Sequence, residues 1–246
     1  MSLQLIRPDW PAPANVRALV TTRRGGVSQG PYASLNLGDH VGDDPAAVAH
    51  NRALLSAQLP AGPVWLKQVH GLAVVEADRV SGIPEGDASV ARRPGTVCAV
   101  LTADCLPVLL CDQAGTVVGA AHAGWRGLAG GVIEAAVAAM GVAPERQMAW
   151  LGPAIGPEAF EVGGEVRDIF MAHDAAAERA FVAHGNGKWL ADIYLLAAQR
   201  LGRLGVPRVS GGNLCTYRDR ERFYSYRRDG ATGRMASLIW LAPSKA

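Results

Sequence analysis

The sequence predicts an α/β protein in which helices cover mixed β-sheets, and two observations lead to this fold class. Segments rich in β-branched and other apolar residues, at residues 97–102 and 108–111, are apolar on both faces and therefore predict buried strands. Segments with an alanine-rich or amphipathic pattern, at residues 132–140 and 190–204, predict helices. These strands and helices follow no regular βαβ cadence, so mixed sheets are favoured over a doubly wound parallel sheet.

The N-terminal third is predicted to contain a strand, a helix and a second strand. The first strand, at residues 16–22, precedes a turn-rich segment whose glycines and proline end it. A helix at residues 44–59 is indicated by Pro45, which suits an early helical position directly after an aspartate N-cap. Residues 65–70 predict another strand, so His70 stands where a strand ends.

The later elements are predicted in the same way. They are strands at residues 117–121, 148–151, 206–210 and 235–241 and a helix at residues 165–173. His122 directly follows the strand at residues 117–121, and Cys105 lies in the connection that joins the two buried strands described first. Two chemically reactive side chains therefore stand at predicted strand ends.

The composition predicts one folded unit. A chain of 246 residues with 49% hydrophobic residues can bury a large core, so we expect a single domain spanning residues 1–246. The 24 Lys and Arg residues against 22 Asp and Glu leave a formal charge of only +2, which is spread along the chain. Nucleic acid is therefore not an expected partner, because no basic patch is visible in the sequence.

The compartment is predicted from the termini and the cysteines. Prolines and charged residues interrupt the first 13 residues, where a signal peptide needs an apolar run, and the apolar runs elsewhere are far shorter than the ~20 residues of a membrane span. Four cysteines in a chain of this length do not resemble a disulfide framework. We expect a cytoplasmic, monomeric protein without a membrane partner.

Three residues form the candidate catalytic and metal-binding set: His70, Cys105 and His122. Zinc is bound by Cys sulfur and His nitrogen, and a catalytic zinc site has three protein ligands and one open position. If the adjoining strands are neighbours in one sheet, their ends bring the three side chains together. Each residue taken singly is better explained by packing, and no short-range zinc motif is present.

Polar residues next to this set are further candidates. Asp104 could orient a ligand or carry a proton, or it could simply cap the following turn. Arg126 lies in a glycine-rich segment before a helix and could bind an anion of the substrate, with a surface arginine as the alternative. Arg24, beside Arg23 and two glycines, allows the same two interpretations.

Other conspicuous residues have simpler explanations. Cys98 and Cys111 lie within apolar strands, where burial keeps a thiol protonated and inert. The aromatic and basic residues of segment 223–228 could stack on a flat base, but packing at a sheet edge explains them as well.

Eight sequence blocks, taken together and in order, resemble one known family. The blocks are residues 21–28, 34–38, 67–71, 86–88, 101–107, 121–127, 151–156 and 223–228. They resemble the laccase-domain family, which is also called the polyphenol oxidase, purine nucleoside phosphorylase or peptidoglycan editing factor family. The resemblance implies a four-layer α/β/β/α sandwich with mixed sheets, and a metal site at His70, Cys105 and His122.

The resemblance also implies several chemistries. The family is associated with phosphorolysis of adenosine, inosine, guanosine and S-methyl-5′-thioadenosine, and with deamination of adenosine. It is also associated with copper-dependent oxidation of phenols and with removal of misincorporated L-serine from peptidoglycan precursors. Multicopper oxidation needs several copper centres, and the six His of this chain argue against it. One zinc ion with an open position suits hydrolytic deamination, and phosphorolysis requires an anion site as well.

Three hypotheses follow from the sequence. The first is a zinc-dependent purine nucleoside phosphorylase and adenosine deaminase that binds nucleoside and phosphate, with copper as the alternative metal. The second is a peptidoglycan-precursor amidase in which Cys105 is a thiolate nucleophile. The third is a non-catalytic module whose metal ion supports folding.

Overall fold

The computed structural model describes residues 3–243, which form thirteen strands and six α-helices. The strands are β1 (Leu5–Ile6), β2 (Val16–Thr21), β3 (Val74–Glu76), β4 (Ala88–Ala91), β5 (Cys98–Thr102), β6 (Leu106–Asp112), β7 (Val118–Ala123), β8 (Gln147–Leu151), β9 (Glu161–Gly163), β10 (Phe181–Ala183), β11 (Lys188–Ala191), β12 (Arg208–Gly211) and β13 (Met235–Leu241). The helices are α1 (Pro45–Ser56), α2 (Trp125–Gly130), α3 (Val132–Ala139), α4 (Gly164–His173), α5 (Ile193–Leu204) and α6 (Tyr226–Asp229). Within residues 3–243, no helix has the length and apolar character needed to cross a bilayer.

Two large sheets make up the centre of the fold. The six-stranded sheet has the order β12-β8-β6-β7-β4-β3, with antiparallel pairs at its centre and a parallel pair at each edge. The four-stranded sheet has the order β1-β2-β13-β5 and is antiparallel throughout. The predicted mixed architecture is therefore confirmed.

Side chains alternate between the two faces of each strand, and this alternation divides the core into layers. Val20 and Ile239 of the four-stranded sheet pack with Leu109 of the six-stranded sheet, in one buried cluster. Their neighbours Leu19 and Leu238 point to the opposite face and pack in a separate cluster that includes Leu55 of α1. The four-stranded sheet is therefore enclosed between α1 and the larger sheet.

Helices also cover the outer face of the six-stranded sheet. Ile133 and Val137 of α3 and Leu201 of α5 are buried in the same cluster as Val108 and Leu110 of β6. The layers are thus α1, the four-stranded sheet, the six-stranded sheet, and α3 with α5. This is the α/β/β/α arrangement that the resemblance implied.

A third sheet, with the strand order β10-β11-β9, shows that the helix predicted at residues 190–204 begins later than expected. The expected helix at residues 190–204 begins only at Ile193, because Lys188–Ala191 forms β11 between β10 and β9. Asp192 separates the strand from the helix, since its carboxylate accepts a hydrogen bond from the backbone N–H of Leu195 at 2.9 Å and caps α5.

The predicted strand at residues 65–70 is wrong. Val64 and Lys67 make only isolated bridges to Cys98 and Glu85. His70 has a φ of 59°, which no strand residue adopts. The backbone N–H groups of residues 69–71 all donate to the carboxylate of Asp87, so they are not available to a neighbouring strand.

Candidate metal centre

The three candidate ligands come from three different structural settings. His122 is 3% exposed and lies in β7, in the middle of the six-stranded sheet. Cys105 lies in the turn where the chain leaves β5 of the four-stranded sheet and enters β6 of the six-stranded sheet. His70 lies in an irregular loop before β3. The ligands therefore converge at the junction of the two sheets rather than along the ends of adjacent strands.

The geometry of the cluster suits a metal ion. The ligand atoms of His70, Cys105 and His122 all lie within 4.8 Å of one another. Cys105 Sγ is 3.8 Å from His70 Nε2, and the two imidazole rings meet edge to face with their centroids 4.8 Å apart. One sulfur and two imidazole nitrogens form a donor set that zinc commonly takes. The cluster can therefore hold a metal ion.

Space for the ion exists because Gly124 has no side chain. A Cβ atom at this position would lie 2.9 Å from Cys105 Sγ and 2.9 Å from His70 Cδ2. Real Cβ atoms do not approach other heavy atoms so closely, so alanine at this position would press into the ligand cluster. The glycine leaves open the space between the ligand side chains that a bound ion requires.

Asp87 orients two of the three ligands, a role that was not predicted from the sequence. Its carboxylate is fully buried and accepts a hydrogen bond from His122 Nδ1 at 2.8 Å. It also accepts hydrogen bonds from the backbone N–H groups of Val69, His70 and Gly71, at 3.1, 2.9 and 2.7 Å. Because an ionised carboxylate only accepts, His122 Nδ1 carries a proton, and Nε2 is the nitrogen that binds a metal ion once its own proton has left.

The ionisation of Asp87 follows from these contacts. Burial raises the pKa of the carboxyl, but the hydrogen bonds from His122 and from the backbone of Gly71 and Val69 outweigh burial and hold the pKa below its usual range. Asp87 is therefore a carboxylate at neutral pH.

Cys105 and His122 shift each other's ionisation. Burial opposes the Cys105 thiolate, but the positive charge of His122 and hydrogen bonds from both histidines lower the Cys105 pKa to about 6. Burial also opposes the imidazolium, but the Cys105 charge and the Asp87 hydrogen bond raise the His122 pKa to about 9. Without metal the pair is a thiolate beside an imidazolium, and the thiolate is the form that binds metals.

The two cysteines that lie within strands are buried, as predicted. Cys98 and Cys111 are fully buried, and burial raises the pKa of each thiol to about 12. Both thiols are therefore protonated at neutral pH, and their chemical inertness stays a prediction.

Asp104 is a positioning residue in this structure. One carboxylate oxygen accepts from Thr216 Oγ1 at 2.6 Å, and the other accepts from Ser225 Oγ at 3.0 Å and from the backbone N–H of Arg227 at 2.7 Å. Both oxygens are thus engaged with the protein, and the role of Asp104 as a proton carrier stays a prediction. The carboxylate holds the turn that carries Cys105 against the start of α6.

Two cavities meet at the candidate ligands. The first, here called the aromatic cavity, has a volume of about 260 Å³. Its walls include Trp125, Ile155, Phe160, Ile193, Arg126 and Arg227. The second, here called the polar cavity, has a volume of about 390 Å³, and its walls include His40, Gln68, Thr102, His122 and Arg234. Both cavities are bounded by His70, Ala103, Cys105 and Tyr226.

The structure separates the two predicted substrate-binding arginines. Arg126 lies on α2 and lines the aromatic cavity, where its guanidinium stacks on the Trp125 ring at 4.5 Å. Arg24 lines neither cavity at the metal centre. It pairs with Glu221 and borders a separate surface cavity with Arg23. This placement does not support the prediction that Arg24 binds substrate.

Sequence reasoning missed Arg234 as well as Asp87. Arg234 lines the polar cavity, but as an isolated arginine it carries no sequence signal. Arg227 lines the aromatic cavity and belongs to the segment 223–228. Tyr226 is 62% exposed and borders both cavities. The aromatic segment 223–228 had suggested this position as a surface for stacking.

Comparison with known proteins places these features in a family. Residues 17–242 match the family described as multi-copper polyphenol oxidoreductase laccase. A purine nucleoside phosphorylase of Pseudomonas aeruginosa is 60% identical over 237 residues, covering 96% of this chain and 98% of the relative. The purine nucleoside phosphorylase YfiH of Escherichia coli is 59% identical over 244 residues, covering 97% of this chain and 99% of the relative.

Solved structures agree with this comparison. A Neisseria meningitidis protein with 57% identity superposes with a TM-score of 0.94, covering 97% of this chain and 99% of that protein. YlmD of Geobacillus stearothermophilus, with 31% identity, gives a TM-score of 0.88 and covers 98% of this chain and 99% of YlmD. The chain therefore belongs to the multi-copper polyphenol oxidoreductase laccase family.

Proposed function

We propose that this chain is a metal-dependent purine nucleoside phosphorylase whose metal ion is held by His70, Cys105 and His122. The observation that carries the proposal is the meeting of two cavities at His70 and Cys105. Phosphorolysis joins two reactants, a nucleoside and a phosphate, at one carbon atom, and two cavities with a common boundary suit such a reaction. The relatives named purine nucleoside phosphorylase support the same conclusion.

The aromatic cavity suits the nucleoside. Trp125, Phe160 and Ile193 provide flat and apolar surfaces for a purine ring, and the exposed ring of Tyr226 offers a further stacking surface. The sequence suggested Arg126 as a phosphate contact, but it lies at this cavity and stacks on Trp125, so we propose it as a contact of the nucleoside instead. We propose adenosine, inosine, guanosine and S-methyl-5′-thioadenosine as substrates.

Zinc is the metal we propose. The donor set of two imidazoles and one thiolate suits zinc, and within residues 3–243 it is the one cluster of three or more metal-binding side chains. A multicopper centre would need more ligands than the six His of the chain readily provide. Bound zinc supplies a Lewis acid at the boundary of the two cavities. Asp87 fixes the tautomer of His122, and Asp104 fixes the Cys105 turn against α6.

Finer features of the activity are part of the proposal. A Lewis acid beside a purine pocket also suits adenosine deamination, which consumes water and no phosphate. We propose that residues 1–246 act as one monomeric domain, because the residues lining the two cavities extend from His40 to Arg234 of a single chain. The four free thiols fit a reducing compartment such as the cytoplasm.

Metal content and product analysis test this proposal together. Wild-type protein, Cys105→Ala and the control Cys215→Ala are analysed for bound metal by mass spectrometry. The same samples are incubated with inosine or adenosine, with and without phosphate, and the products are separated chromatographically. We expect about one zinc per chain and phosphate-dependent release of hypoxanthine and adenine. Both are expected to be lost in Cys105→Ala and retained in Cys215→Ala.

A second candidate function rests on the arrangement of Asp87, His122 and Cys105. Asp87 binds His122 Nδ1, and His122 and Cys105 have their side-chain donor atoms within 4.8 Å, so without metal the three resemble a thiol hydrolase triad. This arrangement supports an amidase acting on a peptidoglycan precursor. The test is whether the protein hydrolyses an amide in the presence of a chelator, requires Cys105 to do so, and releases no purine base. That combination of results would favour the amidase over the phosphorylase.

A further inference from the structure

The polar cavity contains a guanidinium group that has no acidic partner. Arg234 Nη1 donates to the backbone carbonyls of Thr232 and Gly233, at 3.0 and 3.1 Å. Among residues 3–243, no carboxylate lies within 4.0 Å of this side chain. None of the residues that line the polar cavity is an aspartate or glutamate. The cavity therefore presents an unpaired positive charge.

Surrounding residues hold Arg234 firmly in place. Its backbone N–H donates to Asn36 Oδ1 at 2.9 Å, and its carbonyl accepts from Leu37 N at 3.2 Å. Asn36 is fully buried, and its amide also binds the carbonyl and the N–H of Gly38. A Cβ atom at Gly38 would lie 2.8 Å from Arg234 Cγ, so the absence of a side chain there makes room for the arginine stem. The charged group is preorganised rather than loosely placed.

Burial also makes this charge a good partner for an anion. Partial burial lowers the pKa of Arg234, and the negative charges of Cys105 and Asp104 counteract the effect only in part. When a metal ion is bound, the charge of the Cys105 thiolate is balanced by the ion. A guanidinium that is removed from water gains most from an ionised acceptor that offers two oxygens.

We propose that Arg234 binds inorganic phosphate in the polar cavity, opposite a nucleoside in the aromatic cavity. This inference rests on the phosphorylase function proposed above. A phosphate oxygen then forms its bond to C1′ of the ribose while the bond from C1′ to N9 breaks. N9 keeps the electron pair of that bond and takes up the proton that dihydrogen phosphate gives up. The products are the purine base and ribose 1-phosphate, so atoms and charges balance.

The test separates phosphate binding from turnover. Sodium phosphate is titrated calorimetrically into zinc-loaded protein without nucleoside, at constant ionic strength, and KM values for phosphate and inosine are measured in parallel. The variants are Arg234→Met, Arg234→Lys and Gly38→Ala. Arg79→Met is the matched control, because Arg79 lines a different cavity that shares no residue with the polar cavity.

For Arg234→Met we expect phosphate affinity to fall and the KM for phosphate to rise by about 10–100-fold, since a charged hydrogen-bonding partner is lost. The KM for inosine is expected to change by less than about twofold, because the nucleoside occupies the other cavity. Arg234→Lys restores part of the loss, Gly38→Ala gives a smaller loss by displacing the stem, and Arg79→Met matches wild type.

Two results overturn the inference. The first is that folded, zinc-loaded Arg234→Met binds phosphate with wild-type affinity. If the methionine variant does not fold, wild-type affinity in both Gly38→Ala and Arg234→Lys has the same meaning. The other is an absence of phosphate binding to the wild type. If the wild type binds phosphate through Arg234 but releases no purine base, the anion site stands and the phosphorylase proposal fails.

Discussion

Replacement of Asp87 by asparagine tests how the metal ligands are positioned. The carboxylate accepts two hydrogen bonds on each oxygen: His70 N and His122 Nδ1 on Oδ1, and Val69 N and Gly71 N on Oδ2. An asparagine amide offers one accepting oxygen and one donating NH2 group, so in either orientation two donors to the buried Asp87 carboxylate lose their acceptor.

The expected magnitudes follow from this count. Each buried donor left without a partner costs about 1–3 kcal/mol, so the free energy of unfolding of metal-free Asp87→Asn should fall by about 2–6 kcal/mol. Loss of the carboxylate behind a histidine ligand typically weakens metal binding by about 10–100-fold. Zinc affinity is measured by competition with a chelating dye, and stability by urea unfolding of the metal-free protein.

Asp112→Asn is the matched control for this experiment. Asp112 is 2% exposed, and its carboxylate accepts from Thr116 N, Thr116 Oγ1 and Val117 N, at 2.6, 2.8 and 3.0 Å. It lies at the far end of β6 from Cys105, so its loss should reduce stability without changing zinc affinity. The reasoning is refuted if Asp87→Asn destabilises the protein as Asp112→Asn does but binds zinc within about twofold of wild type.

Three further predictions concern the ligand cluster and a buried carboxylate. Gly124→Ala should bind zinc far below one ion per chain, because its Cβ would lie 2.9 Å from Cys105 Sγ. The unfolding free energy of the metal-free protein should fall by about 1–3 kcal/mol, because the added methyl group overpacks a buried site. Full zinc occupancy measured by mass spectrometry would contradict this prediction. Peptide mapping after alkylation should show that zinc protects Cys105 in the folded protein. The buried Cys98 and Cys111 should be modified only after unfolding. Modification of Cys98 or Cys111 in the folded protein would contradict the described core. Burial raises the pKa of Asp112, but its hydrogen bonds outweigh burial and lower the pKa below its usual value. The ionised carboxylate therefore stabilises the folded protein above the unfolded-state pKa of about 3.9. This stabilisation is lost as the pH falls through the folded-state pKa. Urea unfolding should therefore show a stability difference between wild type and Asp112→Asn that is full at pH 7 and shrinks in acid, and a difference that grows in acid would refute the assignment.

Elements with a strong local pattern could be predicted from the sequence. The strand predicted at residues 235–241 matches β13, because its side chains are apolar on both faces and the strand is enclosed between two layers. The helix predicted at residues 44–59 matches α1 to within three residues at its C-terminal end, and Asp44 caps it through Ala46 N at 3.0 Å. Local composition determines these elements, so a single sequence reveals them.

Features that depend on distant contacts could not be predicted. The strand expected at residues 65–70 is absent because Asp87 takes the backbone N–H groups of its last residues, and nothing in those residues reveals that contact. The same limit applies to the arginines. Arg24 is a candidate anion ligand in the sequence and Arg234 is not, but tertiary contacts pair the first with Glu221 and leave the second without a carboxylate among the described residues.

The position of β13 has a consequence for the order in which the chain can fold during synthesis. The candidate ligands have all been synthesised by residue 122, whereas β13, which lies between β2 and β5, begins only at Met235. At about 5–20 residues per second, the ribosome takes roughly 6–20 s to make the intervening segment. During that interval the thiol and imidazoles are present in a nascent chain whose four-stranded sheet cannot yet form. Cys105 is therefore accessible to oxidants and to other metal ions before the folded site exists.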